Sequence, residues 1–61
     1  MLVKTISGKY GRISKDQPGN INVKVMMLDN NLFPVMKYGK KVYEYFKPYE
    51  LIYRPEIIVK L

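Results

Sequence analysis

The chain has 61 residues, and its 11 basic against 5 acidic side chains give a net charge of +6. A chain this short forms one small domain. Because it has no cysteine and no histidine, disulfides, the commonest zinc sites and the usual nucleophilic triads are excluded. We therefore expect a domain without catalytic residues, metal or cofactor, held together by apolar packing.

The first half of the chain predicts three strands separated by turns. Leu2–Ile6 and Tyr10–Lys15 are the first two, and Gly11 inside the second indicates a bulge or a close backbone approach. The turn 16–20 contains Pro18 and Gly19. Ile21–Leu28 is the clearest strand, with one apolar face formed by Ile21, Val23, Val25 and Met27.

The second half predicts two shorter strands and a closing segment. Asp29-Asn30-Asn31 is a turn of residues that tolerate left-handed backbone. Leu32–Lys37 is expected at a sheet edge, because Pro34 cannot donate to a ladder. The strand Lys41–Lys47 follows, and then a turn at Pro48 and a last strand, Leu51–Tyr53. Phe46 and Leu51 are expected in the core.

The order of these parts resembles the SH3-like barrels, in particular the KOW-type and related small domains of bacterial and phage proteins. The residues that carry the resemblance are Gly8, Gly11 and Ile13 near the start, and the turn Lys47–Leu51 before the last strand. It implies an all-β fold: a small five-stranded SH3-like barrel with a 3-10 turn before the last strand. The chain has no tryptophan and no acidic loop, so recognition of proline-rich peptides is not implied.

The predicted barrel covers about residues 2–53 of a single domain, 1–61. The C-terminal segment 54–61 is too apolar for a solvated end, so we expect it to pack on the barrel, pair with the first strand or meet another copy. No apolar run approaches the roughly 18 residues that span a bilayer. The sequence thus predicts a cytoplasmic protein that does not enter membranes.

Basic and aromatic residues are interleaved along the closing half of the chain. Small β-barrels bind single-stranded nucleic acid with a cationic groove and stacking aromatic rings. The sequence therefore predicts contact with DNA or RNA through Lys9, Tyr10, Arg12, Lys37, Lys40, Lys41, Tyr43, Tyr45 and Lys47.

The composition leaves other interpretations open. Lysine and tyrosine are also ordinary residues of exposed β-faces, where they add solubility and cross-strand packing. A patch of Met26, Leu28 and Phe33 could bind a protein, because methionine adapts to varied partners. The alternatives are therefore a phage- or mobile-element-encoded adaptor or inhibitor of a host protein, and a structural subunit of a larger assembly. A homodimer could form through this patch or through segment 54–61.

Overall fold

The structure is a computed structural model that describes residues 1–53. The predicted segment 54–61 lies outside the described residues. Within them the chain forms seven strands and one 3-10 turn. The elements, in chain order, are β1 (Leu2–Thr5), β2 (Tyr10–Ile13), β3 (Val23–Leu28), β4 (Met36–Lys37), β5 (Lys40–Lys41), β6 (Tyr43–Phe46), the 3-10 turn (Pro48–Glu50) and β7 (Leu51–Tyr53).

Five of the strands form one antiparallel sheet in the order β6-β3-β2-β1-β7, and β4 and β5 form a separate hairpin. The predictions of a mainly β chain, five strands in one sheet and a 3-10 turn before the last strand are confirmed. The predicted closure into a barrel is not seen in residues 1–53: β6 pairs with β3 and β7 with β1, whereas β6 and β7 are not paired with each other.

The short connection between the two edge strands requires the sheet to curve. Four strand spacings separate β6 from β7, which in a flat sheet is roughly 19 Å. From Phe46 to Leu51 the chain advances five residues, which span about 17 Å even when fully extended. Three of those residues are wound into the 3-10 turn, which shortens the span further. The two edges therefore approach each other around the core without pairing.

The concave, inner face of the sheet holds the core. Val3 and Val25 are fully buried, and Met27 and Leu51 are nearly so. Phe46 is half-buried and packs against this cluster. The core position predicted for Leu51 is thus confirmed, while Phe46 lies at its margin because β6 is an edge strand.

Gly11 allows β2 and β3 to pack closely. A Cβ atom at this position would lie only 2.3 Å from Cγ1 of the buried Val25 and 3.1 Å from the carbonyl oxygen of Met26. The ladder between the two strands is continuous through this point. Of the two predicted meanings of Gly11, the close backbone approach is confirmed and the bulge is wrong.

Strand β3 is covered on both sides at its end, because Met27 and Leu28 point to opposite faces and both are buried. The segment after the turn pairs alongside this end of β3: Leu28 forms a β-bridge with Pro34, and the Val35 N–H donates to Met27 O at 3.0 Å. Leu28 is only 4% exposed, so the predicted surface patch of Met26, Leu28 and Phe33 is wrong in including Leu28.

The turn after β3 differs in detail from expectation. In the turn after β3 the left-handed residue is Leu32, at φ 68°, and not one of the asparagines. The Asp29 carboxylate stabilises this turn by accepting from the N–H groups of Asn31 and Phe33 at 2.8 and 3.0 Å.

In the hairpin, Tyr38 and Gly39 both have positive φ, which makes the β4–β5 connection a type I′ turn.

Five of the six predicted strands were too long, and only the strand Leu51–Tyr53 has the predicted bounds. Only Met36–Lys37 of the segment 32–37 forms a strand, and the segment 41–47 is divided at Val42. The reason is that Val42 bonds to two different segments: its N–H donates to Val35 O at 3.1 Å, and its carbonyl oxygen accepts from the Met27 N–H at 2.9 Å. Ile21, predicted on the apolar face of β3, precedes the strand and is exposed.

Candidate nucleic-acid interface

The convex, outer face of the five-stranded sheet carries the basic and aromatic residues. The strand registers place Arg12 opposite Met26, and Met26 opposite Tyr43, so that these three residues form a row across β2, β3 and β6. Two neighbouring pairs flank this row, Lys4 with Tyr10 and Lys24 with Tyr45. We define the outer face by these residues: Lys4, Tyr10, Arg12, Lys24, Met26, Tyr43 and Tyr45.

Two lysines of the outer face lie over tyrosine rings. The Lys24 Nζ is 4.7 Å from the centroid of the Tyr43 ring, and the Lys4 Nζ is 5.4 Å from that of Tyr10. Both distances are within the range of a cation–π interaction. Tyrosines of the outer face nevertheless keep accessible surface, since Tyr43 is 41% and Tyr45 is 55% exposed. The face therefore offers cations and flat aromatic surfaces side by side.

A shallow depression of about 400 Å³ adjoins the row of Arg12, Met26 and Tyr43. The rest of its border consists of the end of β2, the residues after β2, and strand β5 of the hairpin. The lining residues are Arg12, Ile13, Ser14, Lys15, Asp16, Met26, Lys41 and Tyr43.

The sequence-predicted residues are only partly brought together. Tyr10, Arg12, Tyr43 and Tyr45 share the outer face, and Lys41 borders the depression beside them. Lys37 and Lys40 face each other across the β4–β5 hairpin instead.

Two further predicted residues lie outside the outer face. Lys9 is exposed in the β1–β2 turn, where its N–H donates to the Thr5 hydroxyl at 3.0 Å. Lys47 is half-buried before the 3-10 turn, and its N–H donates to the Glu50 carboxylate at 2.7 Å. The backbone of each residue thus helps to hold a turn.

Sequence reasoning missed Lys4, Lys24 and Met26 as members of this surface. Lys24 alternates with Val23 and Val25, so its outward direction was visible in the sequence. Its position over Tyr43, however, depends on the register between β3 and β6, and no local pattern specifies that register.

Carboxylates are scarce around the outer face. Asp16 borders the depression and its Oδ2 lies 3.4 Å from the Lys24 Nζ. Asp29 and Glu50 are engaged in turns, and Glu44 is on the opposite side of β6, paired with Val25. Among the described residues, five cations thus lie beside a single carboxylate. The cations are Lys4, Arg12, Lys15, Lys24 and Lys41.

Two other kinds of site are absent from residues 1–53. This part of the chain contains no cluster of acidic side chains suited to holding a metal ion. It also contains no helix with the length and apolar character needed to cross a membrane.

Comparison of the chain with protein-family models, with curated proteins and with solved structures finds no match. The interpretation of the outer face therefore depends on its own geometry and chemistry.

Proposed function

We propose that the protein is a non-enzymatic module that binds single-stranded nucleic acid on its outer face. The observation that carries the proposal is the convergence of three tyrosines with three cations on one side of a single sheet, Tyr10, Tyr43 and Tyr45 with Lys4, Arg12 and Lys24. A surface that serves only solubility does not need aromatic rings between its charges.

The chemistry of this surface fits a flexible strand better than a duplex. Tyrosine rings can stack on unpaired bases, and each such stack contributes about 1–3 kcal/mol. Lysine and arginine neutralise the phosphates between the bases. A base that stacks on Tyr43 would displace the Lys24 ammonium from the ring, and that ammonium would then be free to contact the adjacent phosphate.

We also propose that the fold is an open variant of the SH3-like kind, related to the KOW-type domains. Three features support this: β7, the last strand of residues 1–53, pairs with β1, a 3-10 turn precedes it, and Gly11 lies in the second strand where it packs closely on β3. The curvature imposed by the short link between β6 and β7 is the kind that a small barrel requires.

The first test is a binding titration with labelled oligothymidylate and oligouridylate of about 12 nucleotides, at several salt concentrations. With three or four phosphates neutralised, log K should fall with log salt at a slope of about −2 to −3. Tyr45→Ala should weaken binding by about 5-fold or more through loss of one stack. Tyr49→Ala is the matched control, since Tyr49 is 79% exposed on the 3-10 turn and outside the outer face.

The proposal fails if neither oligonucleotide binds at low salt. It also fails if Tyr45→Ala and Tyr49→Ala have the same effect, because binding would then not depend on the outer face. Different affinities for the two oligonucleotides would assign the preference between DNA and RNA.

A second candidate function, binding to a protein, has an observation of its own. Phe33 is 66% exposed, and Met36 and Tyr38 nearby in the chain are also exposed. These apolar side chains lie in the turn and hairpin between β3 and β6, apart from the outer face. If this region binds a protein, Phe33→Ser should abolish that complex and leave the oligonucleotide affinity unchanged.

A further inference from the structure

The depression beside Tyr43 combines an aromatic wall, an apolar floor and a cationic border. Tyr43 provides the wall, and Ile13 and Met26 contribute apolar surface. Arg12, Lys15 and Lys41 place positive charge around it. Because these residues come from β2, β3, β5, β6 and the loop after β2, their proximity is a product of the tertiary structure.

Its size limits what the depression can hold. Pockets for small ligands have volumes of about 300–1,000 Å³, and this depression, at about 400 Å³, is near the lower end. It is therefore large enough for one monomer unit of a polymer and too small for several. A long strand would have to lie across the outer face and insert one unit here.

The chemistry of the lining selects the kind of unit. A flat ring beside Tyr43 and Met26 would be held by stacking and by sulfur–aromatic contact. An adjoining anion would be held by the guanidinium of Arg12, which forms paired hydrogen bonds with phosphate oxygens, and by the ammonium of Lys41. A nucleotide carries both groups, a planar base and a phosphate, at neighbouring positions.

The one carboxylate on the border forms its ion pair with a lysine outside the lining. Asp16 is directed to Lys24, with Oδ2 and Nζ 3.4 Å apart, and Lys24 does not line the depression. The three bordering cations thus have no carboxylate partner within 4.0 Å among the described residues.

The loop that carries Lys15 is held in place by Gln17. The side-chain amide of Gln17 accepts from the Lys24 N–H at 2.9 Å and donates to the Lys24 carbonyl oxygen at 3.0 Å. It thereby continues the ladder between β2 and β3 in the manner of a backbone amide. This pairing ties the loop that carries Lys15 to β3.

We infer that this depression is a subsite for one nucleotide, with the base against Tyr43 and Met26 and the phosphate between Arg12 and Lys41. The inference rests on the proposed function and adds to it a defined position for one unit of the bound strand. If the protein bound a strand only through evenly distributed surface charge, no nucleotide of the strand would have a defined position.

The test uses the whole protein with adenosine 5′-monophosphate as the probe, and with adenosine and inorganic phosphate separately for comparison. Binding is followed by NMR at the Met26 methyl group and the Tyr43 ring. Lys41→Gln removes one cation from the border, and Lys37→Gln is the matched control, because Lys37 is also exposed in the same hairpin but does not line the depression. The oligothymidylate titration is repeated for both variants.

Support for the subsite consists of saturable shifts at Met26 and Tyr43 with the monophosphate, and weaker shifts with adenosine or phosphate alone. Lys41→Gln should then weaken binding of the monophosphate by about fivefold or more, as expected for loss of a contact to a charged group. Lys37→Gln should weaken it by less than about twofold, since distant exposed charges are screened.

Two other results would overturn the inference and are distinguishable from each other. In the first result, the oligonucleotide binds, but the monophosphate does not shift the Met26 and Tyr43 signals and both lysine variants lose the same oligonucleotide affinity. The subsite is then wrong, and the proposed function survives. If neither the oligonucleotide nor the monophosphate binds at low salt, the proposed function is wrong as well.

Discussion

The ammonium of Lys24 lies 4.7 Å from the centroid of the Tyr43 ring, diagonally across β3 and β6. The same nitrogen lies 3.4 Å from Oδ2 of Asp16. Lys24 thus connects the carboxylate of a loop to an aromatic ring of the proposed binding surface. Any anion that approaches Tyr43 competes with Asp16 for this lysine.

Removal of the Asp16 carboxylate should therefore strengthen nucleic-acid binding. Asp16→Asn raises the local charge by one and releases Lys24, so we expect the affinity for oligothymidylate to rise about two- to fivefold at low salt. The gain should disappear at high salt, because exposed charges are then screened. Glu44→Gln makes the same change in net charge from the other side of β6 and should produce a smaller gain. Equal gains from both variants would show that only net charge matters.

Close packing at Gly11 predicts a specific stability defect. Gly11→Ala places a Cβ 2.3 Å from the Val25 Cγ1. Such overpacking lowers the free energy of unfolding by about 1–3 kcal/mol. Urea denaturation provides the measurement. In a Val25→Ala background, which removes the opposing methyl group, the same glycine substitution should cost much less. A cost that is identical in both backgrounds would contradict the proposed clash.

The pairing of Gln17 with Lys24 predicts a local effect on the loop after β2. Gln17→Ala removes the two side-chain hydrogen bonds to the Lys24 backbone, which at an exposed position should cost about 1 kcal/mol. Hydrogen exchange of the Lys24 amide should become faster, while the Val25 amide in the core of β3 changes little. An unchanged Lys24 exchange rate would mean that the side-chain amide does not protect this N–H.

The hairpin turn predicts a stabilising substitution. Tyr38 is 92% exposed and left-handed, at φ 53°, and asparagine followed by glycine is the preferred pair in a type I′ turn. Tyr38→Asn should therefore raise the free energy of unfolding by about 0.5–1 kcal/mol. Gly39→Ala, at φ 75°, should lower it by about 1–2 kcal/mol. Thermal unfolding measures both changes, and a stability loss in the Tyr38 variant would contradict this account.

The hairpin substitutions also serve as a functional control. Tyr38 lies outside the outer face, so Tyr38→Asn should leave the oligonucleotide affinity within about twofold of the original value. A large loss would place the hairpin tip in the binding surface.

Local patterns were sufficient to predict most of the strands. The alternation from Val23 to Met27 specified β3 and its buried face, because successive side chains of a strand point to opposite sides. Pro48 marked the 3-10 turn, since proline has a preset φ and suits the first position of a helical turn. Leu51, directly after that turn, was correctly placed in the core.

The sequence alone was sufficient to predict a small, basic, mainly β chain in which a 3-10 turn precedes the strand Leu51–Tyr53. The tertiary structure decided which side chains meet. Strand register places Tyr43 beside Met26 and under Lys24, and hydrogen bonds from Val42 to two different segments divide the closing strand. Leu28 is buried at the end of β3, where a segment from beyond the turn pairs with it. Register and coverage depend on residues distant in the chain, and no local periodicity contains that information.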